Sequence, residues 1–204
     1  MKTQTIIQNI THGVYRYEYP VQKNTELTVV LTGFKIRRAE VTLTVNLTAP
    51  GAAATIVGIF LGSKSSDIRI HTAQVHQAPG TTSNLLVKSV LPDGARFSYA
   101  GTIRVEKHAQ LTDAYQRNEN LLTGTGAHAV SKPSLEILAN DVKCTHGSAT
   151  GPINPEELWY LQSRGISPPS ARKLIVEGYM RSAVDLVKDS VVRDRLWQKT
   201  RSAI

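Results

Sequence analysis

The run Val41-Thr42-Leu43-Thr44-Val45-Asn46-Leu47-Thr48 sets an apolar side chain at every odd position and a polar one at every even position. A period of two marks a strand with one buried face, because successive side chains of a strand point to opposite sides. The alternation returns downstream: Ile68 and Ile70 alternate with Asp67, Arg69 and His71, and Ile103 with Val105, then Leu135 with Ile137, repeat it. Short breaks intervene at Ala49-Pro50-Gly51, Gly62 to Ser66, Pro79-Gly80 and Pro92-Asp93-Gly94. Gly and Pro punctuate strands in this way by ending one ladder and redirecting the chain.

From about residue 10 to about residue 150 no helical period appears, so the body reads as all-β. Texture alone admits a sandwich, a barrel or a β-solenoid. Two features lean toward the solenoid. Most runs are short, with few two-residue hairpin signals. Polar residues also recur at strand positions (Thr112, Gln116, Asn118, Asn120), where stacked rungs can form ladders. After Gly151 the texture changes. Asn154-Pro155-Glu156-Glu157 reads as a capped helix start running to about Arg164, with Gly165 as its stop. Ser167-Pro168-Pro169 opens a second helix to about Met180. Ser182 with Asp185 predicts a third, from Ala183 to about Thr200. The expected organisation is a β core over 1–152 and a small helical domain over 153–204.

Composition narrows the function. The chain carries 24 Lys+Arg against 16 Asp+Glu, a net charge of +8. The excess is dispersed, with adjacent basic pairs only at Arg37-Arg38 and Arg172-Lys173, so no nucleic-acid stripe is expected. The longest apolar stretch, Ala52 to Leu61, falls short of the ~20 residues of a membrane span. With no secretory signal at the N-terminus, the expectation is a cytoplasmic protein. The single cysteine, Cys144, excludes an intramolecular disulfide framework and a Cys-rich zinc site, and fits a reducing compartment. No Gly-x-Ser-x-Gly elbow, phosphate-binding loop or His-Glu-x-x-His helix is present, and the acidic residues of the β region are not clustered for glycoside hydrolysis. An enzyme is not expected.

Several ordered blocks resemble the SufB/SufD family of iron–sulfur cluster assembly proteins. The strongest is Pro133-Ser134-Leu135-Glu136-Ile137-Leu138-Ala139-Asn140-Asp141-Val142-Lys143-Cys144-Thr145-His146-Gly147, similar to a SufD-type pattern that usually has serine where Thr145 stands. Leu158-Trp159-Tyr160-Leu161-Gln162-Ser163-Arg164-Gly165-Ile166 is a second. Gly101 to Val105, Ala109 to Ala114 and Asn120-Leu121-Leu122 keep the family's order and spacing. The resemblance implies a right-handed parallel β-helix followed by a C-terminal α-helical domain. It implies a scaffold role in a SUF-type complex, with a SufC-type ATPase and a SufB-like subunit (or a second copy) as partners. Full-length members carry an N-terminal helical region and a longer β-helix, both missing or shortened here.

On a strand, Cys144 and His146 share one face, roughly 6.5–7 Å apart. A thiolate and an imidazole so placed can reach one metal or cluster, but two ligands do not hold a cluster, which needs about four. These residues therefore fit a transient iron–sulfur cluster site completed by a partner. Val142 should share their side and Lys143 face away, and the thiol should sit among polar or ionisable groups that favour the thiolate. The bland alternative makes Cys144 a buried small side chain and the chain a structural partner only. His71, His76, His108 and His128 read as structural. Trp159, Tyr160 and Leu161 are the ATPase-docking candidates implied by the resemblance, unless they pack the first helix onto the β body. With no nucleotide-binding loop in the chain, any ATP use is expected of the partner.

Overall fold

The computed structural model describes residues 2–204. Its strands are β1 (Lys2–Ile10), β2 (Gly13–Val21), β3 (Thr25–Leu47), β4 (Ala53–His76), β5 (Thr82–Leu91), β6 (Arg96–Val105), β7 (Thr112–Leu122), β8 (His128–Ile137) and β9 (Val142–Pro152). Every pairing between them is parallel. The chain winds as a parallel β-solenoid of about five turns, as the leaning of the sequence and the resemblance anticipate. One wall stacks β1, the first arms of β3 and β4, then β5, β7 and β9. The other stacks β2, the second arms of β3 and β4, then β6 and β8.

Corner geometry explains the Gly and polar breaks. Asn24, Gly51, Gly80 and Leu111 all take positive φ and stack in register at one corner. The N–H of Gly51 bonds to the carbonyl of Pro79, that of Gly80 to Gln110, and that of Leu111 to Asp141, so each corner is tied to the next. The opposite corner repeats the device with Ser65, Gly94 and Gly126. Prolines inside strands occur at Pro20, Pro133 and Pro152, all in β2, β8 and β9, which end the stack. Proline is tolerated there because an edge strand has no ladder partner on one side.

The interior is apolar in the early turns, where Val29, Leu31, Val41, Leu43, Val45, Ile56, Ile68 and Ile70 are fully buried. It becomes polar toward the C-terminal end, where Gln74, His76, Ser83, Gln116 and Asn118 take their places. The run Ala52 to Leu61 lacks alternation because both faces are covered. Ile56 and Phe60 face the interior, while Val57, Ile59 and Leu61 lie under the helices.

Three helices follow: α1 (Pro155–Ser163), α2 (Pro168–Val184) and α3 (Ser190–Ala203). Val176, Met180, Ala183 and Val184 of α2 and Leu196 of α3 pack on the outer face of the first wall, against Val30, Val57, Leu61, Val90 and Leu121. Among the described residues, no helix is long and apolar enough to cross a membrane.

Three local expectations need correction. β1 starts at Lys2, well before residue 10, and its sequence hides it because Gln4 and Gln8 take inner positions, stacked on Leu27 and Leu31, and break the apolar alternation. β3 and β4 are not short runs but continue through a corner, with Lys35 and Ser65 supplying the left-handed bend. The second helix does not stop before Ser182. That hydroxyl bonds back to the Tyr179 carbonyl inside α2, and α3 is capped instead by Asp189, whose carboxylate accepts the N–H of Val192 at 3.0 Å.

Candidate functional site: the open C-terminal rung

β8 and β9 each have a strand neighbour on one side only. Register then fixes which side chains of β9 face inward. Val142, Cys144, His146, Ser148 and Thr150 stack on Thr112, Ala114, Gln116, Asn118 and Asn120 of β7, all five of which are buried. Cys144 and His146 thus share a face with Val142, and Lys143 lies with exposed Asp113 on the other, as strand parity predicts. Ser148 and Thr150 extend the same row. Two more steps of the parity that links Cys144 to His146 would have found them.

The environment of the thiol differs from expectation. Cys144 is half-buried and packs beside Ile103, Val105, Ala109, Ala114 and Ala139. Burial pushes the thiol pKa up, the Asp113 carboxylate adds to the rise, and a backbone hydrogen bond at Ala114 offsets part of it. The strands beneath surround the thiol with aliphatic side chains and an acid, which favour the neutral thiol over the thiolate. His146 is exposed. Among the described residues no group of three or more His, Cys, Asp or Glu could hold a metal ion. Two side chains at an open edge can contact a cluster only together with donors from elsewhere.

Beneath His146 the interior is a hydrogen-bonded amide ladder. Ser89 Oγ donates to Asn120 Oδ1 at 2.8 Å, Asn120 Nδ2 reaches Asn118 Oδ1 at 2.9 Å and Thr150 Oγ1 at 3.0 Å, and Asn118 Nδ2 donates to the Val87 carbonyl at 3.1 Å. Gln116 Nε2 crosses the interior to the Gly101 carbonyl at 3.2 Å. Buried polar groups are retained where they pair, and here they tie β5, β7 and β9 together. The ladder reading of Gln116, Asn118 and Asn120 therefore holds. Gln110 belongs to a corner, with its Oε1 accepting the Asp141 N–H, and Asp113 faces outward.

Of the other histidines, His71 is exposed and His76 fully buried. His108 bonds through Nε2 to the Gln77 carbonyl at a corner, and His128 starts β8 exposed. The aromatic pair of α1 does not pack on the body: Trp159 is 69% and Tyr160 53% exposed, and α1 buries no residue. Leu158 makes the contact to the solenoid, while Leu161 is half-buried. The Arg164 guanidinium lies 5.2 Å from the Tyr160 ring centre.

Comparison with known proteins agrees with this arrangement. Residues 3–179 match the family described as SUF system FeS cluster assembly, SufBD core domain. The iron–sulfur cluster assembly protein SufD of Escherichia coli (strain K12) is 36% identical over 121 residues, covering 59% of this chain and 29% of that protein. An iron–sulfur cluster assembly SufBD family protein of Mycobacterium leprae is 32% identical over 179 residues, covering 83% of this chain and 45% of its own. One from Synechocystis is 30% identical over 177 residues, covering 87% and 39%. The chain therefore spans less than half the length of each of these relatives. With its solenoid inside the matched region and the shared residues running from β1 into α2, this chain belongs to the SufBD family of the SUF iron–sulfur cluster assembly system.

Proposed function

We propose that this chain is a non-catalytic scaffold subunit of a SUF-type complex, and that its C-terminal rung joins a second β-helix, a SufB-like subunit, to form a shared site for cluster assembly. The observation that carries this reading is the common inward face of Cys144 and His146 on β9, a strand with a free edge. A partner strand laid on that edge would bring its own donors beside these two, and the iron–sulfur cluster is the cargo they would hold in passing. The exposed Trp159 and Tyr160, with Leu161 beside them, form the docking surface for a SufC-type ATPase, and nucleotide chemistry belongs to that partner. Such a complex would work in the cytoplasm.

The test is cluster formation by the complex co-purified with a SufB-like chain and the ATPase, followed by visible absorbance. Cys144→Ala should cost about 1 kcal/mol of stability or less, being a partly buried small side chain. It and His146→Ala should each slow assembly several-fold. A second reading, in which the chain is a structural partner only, is favoured by the raised pKa of the Cys144 thiol. Assembly at the wild-type rate by both variants would establish that reading and refute the shared site.

A further inference from the structure

Gln116 of β7 lies directly beneath His146 in the register, with Leu85 of β5 and Ile56 of β4 below it in the same column. The column is aliphatic until it reaches Gln116, then carries an amide and an imidazole in succession. Gln116 has no exposed surface, and its Oε1 is buried without a hydrogen-bond partner among the described residues. We infer that Gln116 is a positioning residue for His146: its Oε1 accepts the Nε2–H of the imidazole, which leaves the lone pair of Nδ1 facing the free edge of β9. The use of that lone pair rests on the shared assembly site proposed for β9, whereas the hydrogen bond does not.

The glutamine is held by the other end of its amide. Nε2 donates to the Gly101 carbonyl at 3.2 Å. A carbonyl oxygen only accepts, so this contact fixes the amide's orientation and makes Oε1 the atom left over. Gly101 also provides the space. A Cβ there would lie 2.7 Å from both Nε2 and Oε1 of Gln116, and closer still to the Tyr99 hydroxyl. A larger residue at 101 would push the amide out of place.

Donors for Oε1 are few. A buried acceptor left unpaired is costly, so native structures supply a partner. Neighbouring side-chain donors are engaged elsewhere. Asn118 Nδ2 serves the Val87 carbonyl and Asn120 Oδ1, and Gln74 Nε2 serves Ser83 Oγ and the Tyr115 carbonyl. The Tyr99 hydroxyl pairs with Thr72 at 2.8 Å. Within the column, Leu85 offers no donor, and the exposed ring of His146 stacks on the other side. Stacked strands lie about 4.8 Å apart, which brings such side chains within reach. Histidine Nε2 stands as many bonds from its Cα as glutamine Oε1 does from its own, so the two reach equal depth.

A neutral imidazole has one N–H and one lone pair, and the hydrogen bond it makes decides which nitrogen carries which. Histidines that ligate metals generally donate their other N–H to an acceptor of this kind, which fixes the tautomer and the ring orientation. With Nε2–H tied to Gln116, a ring that would otherwise turn freely presents Nδ1 on the face it shares with Cys144.

NMR of the isotope-labelled chain alone at neutral pH tests the hydrogen bond, with His146→Ala assigning the ring. The expected result is a slowly exchanging Nε2–H for His146 and an unprotonated Nδ1. Gln116→Met, close in shape but without the acceptor, should abolish that proton signal while circular dichroism shows the fold intact. No protected Nε2–H in the wild type, or one that persists in Gln116→Met, overturns the proposal. The wild-type spectrum decides alone if the variant fails to fold. The positioning role is read in the complex co-purified with a SufB-like chain and the ATPase. There Gln116→Met should slow assembly several-fold, and adding it to His146→Ala should slow assembly no further. Wild-type assembly by Gln116→Met, with slow assembly by His146→Ala, overturns the role. Wild-type assembly by both removes the shared site and the role with it, while the hydrogen bond is still judged by the spectrum.

Discussion

His76 has no exposed surface, yet both ring nitrogens meet hydroxyls: Nδ1 with Thr81 Oγ1 and Nε2 with Ser83 Oγ, each at 2.8 Å. Gln74 Nε2 shares Ser83 at 2.6 Å, so the imidazole is embedded in a network of neutral groups. Burial lowers its pKa to about 4. In the unfolded chain a histidine titrates near 6.5, so the folded state favours the neutral ring. The stability this contributes is complete above pH ~6.5 and is lost as the pH falls toward about 4, where the folded state also takes up the proton. The loss is on the order of 3 kcal/mol. Melting temperature followed from pH 7 to pH 5 should fall in the wild type and fall less in His76→Gln, which cannot titrate. Parallel slopes for the two proteins would dismiss the role given to this ring. Its burial was only partly legible. Strand parity separates His76 from His71, but Ser83 reaches it from the next strand, across a corner. Cys144 illustrates the same boundary: its shared face with His146 follows from spacing, whereas its aliphatic surroundings come from Ile103, Val105 and Ala109, far back in the chain.

Helix docking turns on Lys88, an outward residue of β5 that a sequence reading would leave in solvent. Its Nζ donates to Ser182 Oγ at 2.6 Å and to the Tyr179 carbonyl at 3.0 Å, pairs with Glu119 at 2.8 Å, and lies 4.2 Å from the Tyr179 ring centre. Lys88 and Glu119 are only 7% and 14% exposed as side chains, so the pair is screened little by water. Removing one member of a buried pair leaves the other poorly solvated, although Arg117 still holds Glu119. Lys88→Ala should therefore destabilise the protein by about 2–3 kcal/mol, somewhat below the usual range for such a loss. It should also speed proteolysis within α2 and α3 before the strands are cut. Uniform cleavage at the wild-type rate would show that the lysine is dispensable. The same contact explains the misplaced helix break. Ser182 followed by Asp185 has the spacing of a cap, yet Ser182 is held inside α2 by Tyr179 and Lys88. The strand alternation and the Asn154 cap, by contrast, are local signals, and both survive: Asn154 Oδ1 accepts the Glu156 N–H at 2.9 Å.

Across the molecule, the interior grades from aliphatic turns to a polar ladder, and the C-terminal rung, β8 and β9, has a free edge. Open ends with unpaired backbone groups invite strand addition. The free edge of β9 is the one that carries Cys144 and His146. The alternation made the β body legible, and the ordered blocks of the resemblance chose the solenoid. Which strands would be left without neighbours emerges only once the register is known. The central claim is that a second β-helix adds to the edge carrying Cys144 and His146. Amide hydrogen exchange of the chain, alone and mixed with a SufB-like subunit, tests it most directly. New protection is expected over 128–137 and 142–152, with β4 and β5 unchanged. Complex formation with β8 and β9 still exchanging at their free rate would contradict it.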